Sequence, residues 1–140
     1  MKNAICTGIG IAGAAIASAL GGWDVPLGSL VTFMIIDFVT GLMVAGSGKS
    51  PKTEKGGISS AVIFSGIAKK VVILFLVLIG YRLDLTLGMD YVRNTVIIGF
   101  LANELISIVE NAGLLGVPMP PVIKNILEVL KNKGGHNDEL

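Results

Sequence analysis

Four ionisable side chains stand inside stretches otherwise apolar enough to enter lipid. Asp37 lies in LGSLVTFMIIDFVTGLMVAG (27–46), the adjacent pair Lys69 and Lys70 in SGIAKKVVILFLVLIGYR (65–82), and Glu104 in YVRNTVIIGFLANELISIVENA (91–112). Carboxylates and ammonium groups at such depth have three uses. They pair with one another, they pass protons along a relay, or, for the lysines, they snorkel so that the charge stays in water. The single cysteine, Cys6, has no partner for a disulfide and lacks the companion Cys and His residues of a zinc site, so it reads as a buried apolar thiol and no metal is expected.

The elements that must carry these residues follow from composition. Of 140 residues, 52% are hydrophobic and 15% charged, and the mean hydropathy is +0.78. A soluble domain carries about 25% charged residues, so lipid is the expected solvent. The net charge of +1 offers no basic excess for nucleic acid. Four spans are expected, at about 4–22, 27–46, 58–81 and 91–112, in a transmembrane domain of residues 1–118. WDVP (23–26) turns the chain after the first, with Trp23 suited to a membrane interface. SGKSPKTEKGG (47–57) is a polar loop after the second. In PVIKNILEVLKNK, Val122, Ile123, Ile126, Leu127 and Leu130 recur at helical spacing, so residues 119–133 hold a short amphipathic helix with Pro121 in its first turn; 134–140 read as a disordered tail. The fold class is therefore all-α integral membrane.

Two local patterns imitate motifs whose requirements they do not meet. GSGKS (46–50) lacks the glycine five positions before its Gly-Lys pair, where Met43 stands, and follows a helix rather than a strand. It is a basic loop near anionic lipid rather than a phosphate loop. The N-terminal segment has an ASA at 17–19, but its core is Gly/Ala-rich rather than Leu-rich and the rest of the chain is also membranous, which argues against a cleaved signal. With four spans, Lys2, Lys49, Lys52, Lys55, Lys124, Lys131 and Lys133 collect on one side, opposite Asp24, Arg82, Asp84, Asp90 and Arg93. The positive-inside rule then places both termini in the cytoplasm. Losing a span is expected to split the lysines between sides.

The lysine pair fits neither edge of a bilayer comfortably. A span starting after Lys70 and ending at Tyr81 reaches only about 16 Å of a ~30 Å core. Starting at Ile58 puts Lys69 near the middle, with Asp37 about 13 Å and Glu104 about 12 Å deep in their own spans. The four charges then share one slab and sum to zero. Two central lysines cost roughly 6 kcal/mol of insertion, while the nine apolar residues at 71–79 offset roughly 4. This span therefore needs neighbours, and pairing of Asp37 and Glu104 with Lys69 and Lys70 is the expected accommodation, with snorkelling and a relay as alternatives. In the first span, small residues recur four apart on two registers, Gly10–Ala14–Ser18–Gly22 and Gly13–Ala17–Gly21, a spacing that lets helices approach closely in lipid.

DFVTG (37–41), the basic Gly/Ser linker, GIAKKV (66–71) and ANELISIVENAGLLGVPMPP (102–121) stand in an order that resembles the phage-lysis and toxin-secretion holin family of Gram-positive bacteria and their phages. The resemblance covers roughly residues 30–130. It implies a non-enzymatic protein without cofactors that oligomerises in the host's cytoplasmic membrane. At a programmed time it would form lesions that depolarise the cell and release an endolysin or a toxin, with an antiholin as a further possible partner. Position by position, the resemblance carries onto Asp37 and Gly41, Lys69 and Lys70, Asn103, Glu104 and Glu110, and the Gly116–Pro118–Pro120 turn, none with a catalytic role. The alternative is a small proton-coupled transporter or channel subunit using Asp37, Lys69, Lys70 and Glu104.

Overall fold

A computed structural model describes residues 1–135, in which the chain forms five helices: α1 (Lys2–Ala19), α2 (Val25–Gly46), α3 (Ser60–Leu87), α4 (Val92–Leu114) and α5 (Pro121–Gly135). No strand occurs among the described residues. Three helices, α2, α3 and α4, are long and apolar enough to cross a membrane, where four were expected. The difference is α1. Its 18 residues reach only ~27 Å, they include Lys2 and Asn3, and glycine and alanine rather than leucine make up much of the remainder. The final part of the expected tail, 136–140, lies outside the described residues.

The chain packs as two units, Met1–Thr32 with Ser65–Leu101 and Phe33–Phe64 with the chain from Ala102 onward. In the first unit Leu20, Leu27, Leu30, Ile73, Val77 and Ile97 form the buried apolar core. None of α1's own residues is buried; Leu20, just past its end, is its point of attachment.

That attachment is made by Arg93. Its side chain, 5% exposed, donates from Nε to the Leu20 carbonyl (2.5 Å) and from Nη2 to the Gly22 carbonyl (3.1 Å). The same guanidinium grips Asp24 with both Nη atoms, at 2.7 and 3.1 Å, and donates to Asn94 Oδ1 at 3.1 Å. Asp24 is at the same time the N-cap of α2, its Oδ1 accepting from the Leu27 amide at 3.0 Å. One carboxylate therefore joins the start of α2 to the start of α4, and one guanidinium closes the carbonyls left open at the end of α1.

Asp84, read from sequence as a charge beyond the third span, is buried in the same unit. Its two oxygens accept from the amides of Val92 and Arg93 at 2.9 and 3.0 Å, the first orphan donors of α4. This is why α3 continues past the expected end at Tyr81 to Leu87: stopping earlier would withdraw the cap from α4. Gly80 lets the two helices meet, since a β-carbon there would lie 3.0 Å from the Arg93 Cα.

Helix ends share one device. Past α1, Gly22 N–H donates to the Ala17 carbonyl and Gly21 N–H to the Ser18 carbonyl; past α2, Lys49 and Gly48 do the same to Val44 and Ala45; past α4, Val117 and Gly116 to Ala112 and Gly113. A glycine with positive φ turns the chain each time: Gly21 at 96°, Gly48 at 73°, Gly116 at 89°. Gly48, the glycine of the apparent phosphate loop, is thus a helix terminator. In the second unit the loop after it closes on itself, with Ser50 N–H donating to the Gly56 carbonyl (3.0 Å) and Thr53 Oγ1 to the Gly57 carbonyl (2.9 Å).

Gly21, placed by sequence in the packing stripe, serves instead as this turn, and Arg93 fills the space a side chain would need: a β-carbon would stand 2.7 Å from Arg93 Nε. Gly21→Ala should therefore lower stability by more than about 1 kcal/mol, and Arg93→Ala by about 2–3 kcal/mol. Arg93→Lys should recover little, because an ammonium cannot reproduce the fork. Thermal unfolding of the detergent-solubilised chain measures all three.

A second expectation concerns acid. The Arg93 hydrogen bonds foremost, then the Leu27 amide and the Arg93 charge, hold the Asp24 carboxyl below its ordinary 3.8 against the opposing pull of burial. Because the folded value is depressed, this contribution is fully present above about pH 4 and lost as pH falls through the folded value. The melting temperature of the wild-type chain should drop in that window by more than that of Asp24→Asn, which should already be lower at neutral pH.

Candidate functional site

Within the second unit, α2 and α4 meet through polar side chains. Asp37 on α2 accepts a hydrogen bond from Ser107 Oγ at 2.5 Å and one from Asn111 Nδ2 at 3.3 Å. Asn111 also donates to Thr40 Oγ1 at 3.0 Å, and the Thr40 hydroxyl turns back to the Ile36 carbonyl at 2.8 Å. Glu104 is 3% and Asn111 8% exposed. Positions 104, 107 and 111 fall on one face of α4, three and four residues apart. Asp37, Thr40 and Gly41 share the facing side of α2, and a β-carbon on Gly41 would be 3.8 Å from Asn111 Nδ2.

No buried side-chain nitrogen or oxygen among the described residues lacks a partner. In hydrocarbon such satisfaction decides whether helices associate, at an average of about 0.6 kcal/mol for each hydrogen bond across helices. These bonds make a hydrogen-bonded seam between the two helices. Among the described residues no cluster of His, Cys, Asp and Glu has the form of a metal site.

The structure distributes the four intramembrane charges unevenly. Asp37 and Glu104 belong to the second unit, Lys69 and Lys70 to the first. Asp37, Lys70 and Glu104 all have polar or charged partners, Lys70 being half-buried. Lys69 is exposed and makes no ion pair among the described residues. Of the remaining positions singled out by sequence, Asn103 is exposed on α4, and Glu110 forms an exposed ion pair with Lys131 of α5 at 2.5 Å. Gly116 ends α4, and Pro118 and Pro120 are exposed in the connection to α5. On α1, Gly10, Gly13, Ala14 and Ser18 are exposed and Ala17 half-buried. Cys6, expected to be buried, is exposed too, because no residue of this helix is buried by the rest of the chain.

Sequence reasoning missed Ser107, Asn111 and Thr40 because it sought opposite charges for Asp37. The available signal was the helical spacing of Glu104, Ser107 and Asn111, a polar stripe through an apolar segment.

Comparison with known proteins bears directly on this seam. The family model described as the bacteriophage holin family matches residues 14–132, from the end of α1 into α5 and across both helices of the seam. The chain belongs to the bacteriophage holin family. It is 39% identical over 128 residues to an uncharacterized protein of Listeria monocytogenes, an alignment covering 91% of this chain and 86% of the relative. A Listeria innocua protein, also uncharacterized, shows 40% identity over the same length and coverage. An uncharacterized 14.9 kDa protein of Clostridium perfringens shows 35% over 133 residues, covering 94% of this chain and 96% of the relative. No solved structure matches. The holin family is not an enzyme family, and with its apolar helices this member is a multi-pass membrane protein.

The seam generates a stability prediction. Ser107→Ala and Asn111→Ala should each cost about 0.5–2 kcal/mol. A double-mutant cycle of Asp37→Asn with Ser107→Ala should show a coupling of at least about 0.5 kcal/mol. Lys69→Gln should leave unfolding within about 0.5 kcal/mol of wild type, as an exposed substitution does. Reversible unfolding in mixed micelles reads all of these.

Proposed function

We propose that this chain is a lytic holin: copies accumulate in the host cytoplasmic membrane, associate, and open lesions that depolarise the cell and release an endolysin or a toxin. The observation that carries the reading is the two-sidedness of the family-matched spans. Asp37, Glu104, Ser107 and Asn111 form a polar interior, while Ile35, Ile36, Val39, Met43 and Ile98 of the same helices lie exposed. A helix built this way suits lipid on one side and, once many copies associate, water on the other. Lys69 and Lys70 would join that polar layer, so that charges costly to a single inserted chain become favourable in the assembly.

In this reading α1 is a fourth crossing. Ile5, Ile9, Ile11 and Ile16 are 58–68% exposed, and its small-residue registers offer a face for a second copy. Both termini are then cytoplasmic. The lysine distribution supports that placement less sharply than expected. With α2–α4 as spans, the linker lysines and those after residue 114 share a side whether or not α1 crosses, and only Lys2 changes sides.

The test is inducible expression in a bacterium that also carries a cell-wall hydrolase without a signal sequence, with membrane potential and hydrolase release followed together. A delayed, abrupt depolarisation accompanied by hydrolase release is the expected result. Depolarisation that never frees the hydrolase would replace this reading with the channel or proton-coupled transporter, which the ionisable pair Asp37 and Glu104 would serve. Membrane insertion with no change in potential would overturn both.

A further inference from the structure

Helix α5 carries more apolar surface than the chain covers. At 100° per residue, Val129, Val122, Ile126, Leu130, Ile123 and Leu127 share one arc, entered only by Lys133 in the last turn, and Lys131, Lys124, Glu128, Asn132 and Asn125 fill the other. Leu127 and Leu130, toward one edge of the arc, are half-buried. At its other edge Val122, Ile126 and Val129, spaced i, i+4 and i+7, remain 67%, 50% and 54% exposed.

Two features fix where this stripe stands. Only the six residues 115–120 separate α5 from the end of α4, a helix long and apolar enough to span, and they reach about 20 Å even when fully extended. The far end of α5 comes back to the same helix, since Lys131 Nζ meets Glu110 of α4's last turns at 2.5 Å. Leu114 and Val117, at the end of α4 and in the connection, are themselves 38% and 51% exposed. Exposed apolar side chains thus stand at the end of a spanning helix, in its exit turn and on α5.

We infer that α5 lies along the bilayer surface at the exit of α4, with Val122, Ile126 and Val129 inserted at the boundary between headgroups and acyl chains and Lys124, Glu128 and Asn132 facing water. The occupant of the stripe is the lipid in which the chain's own spans sit. Covalent attachment to α4 makes the contact intramolecular, so a weak partition suffices. Lys133, one turn beyond Val129 on the stripe side, extends its ammonium to the headgroups. With three lysines and one glutamate on α5, charge assists this contact and apolar burial drives it. The inference rests on membrane placement of α4 and not on lesion formation.

The test uses the full chain with Cys6→Ser, reconstituted in phosphatidylcholine–phosphatidylglycerol vesicles. Single cysteines carrying a nitroxide are placed by Val122→Cys, Ile126→Cys and Val129→Cys, and on the water-facing side by Lys124→Cys, Glu128→Cys and Asn132→Cys. Oxygen, which concentrates in lipid, and a water-soluble nickel chelate relax the label competitively. The first three sites should show several-fold greater oxygen than nickel accessibility, at a depth of about 5–10 Å, and the other three the reverse, with little change at high salt. Equal nickel accessibility at all six sites would mean a helix held in water. Exclusion of both reagents from the first three, with spin–spin broadening between labels, would mean that a second copy covers the stripe. Either result overturns the inference, whatever the lysis assay shows.

Discussion

Hydrocarbon supplies no hydrogen bonds, and a chain that lives in it must satisfy every polar group from its own atoms. That constraint governs the spans, and the chain also closes its own polar groups at the helix ends beside them. The ends of α1, α2 and α4 close their last carbonyls with the same two-bond turn on a glycine. The first amides of α4 are closed by the side chain of Asp84, and the open carbonyls at Leu20 and Gly22 by Arg93. Asp37, which insertion alone would penalise, is surrounded by hydroxyl and amide donors. Each is a local answer to the same demand.

The demand also separates two kinds of intramembrane polarity. Around Arg93 the groups are knotted: five donor contacts from one buried guanidinium converge on two backbone carbonyls and two side chains, so its removal opens all of them at once. Along the seam Ser107, Asn111 and Thr40 add short, neutral hydrogen-bonding side chains, each bond individually weak. Side chains of that kind exchange partners at modest cost, for another helix or for water.

The apolar runs made α2, α3 and α4 legible from sequence, because length and hydropathy are what lipid selects. The amphipathic period of α5 was equally plain. The interactions of the charges were not. Arg93, at the start of the fourth span, and Asp84, in the connection before it, read only as charges on one side of the membrane, because burial against a partner leaves no mark on hydropathy. For Asp37 opposite charge is the obvious partner to look for in a sequence, and it gave no pointer to the hydroxyl and amide side chains that the carboxylate also engages. Gly21 and Gly48 each suggested a familiar motif, small-residue packing and a phosphate loop, and each is a helix terminator. Glycine composition does not reveal which of its uses applies, and only the carbonyls behind it do.

The placement of α4's partners has a consequence for how the chain is made. Asp24, Asp37, Thr40 and Asp84, and the carbonyls of Leu20 and Gly22, all precede the α4 residues that engage them. Emerging from the ribosome, α2 and α3 carry acceptors still without their α4 donors, while α4, bearing Arg93, Ser107 and Asn111, arrives when those acceptors are already at the membrane. Synthesis in this order never leaves the guanidinium waiting in lipid for a counterion. The reverse order would, so a circular permutation that moved α4 to the front should burden biogenesis even though the finished contacts were the same.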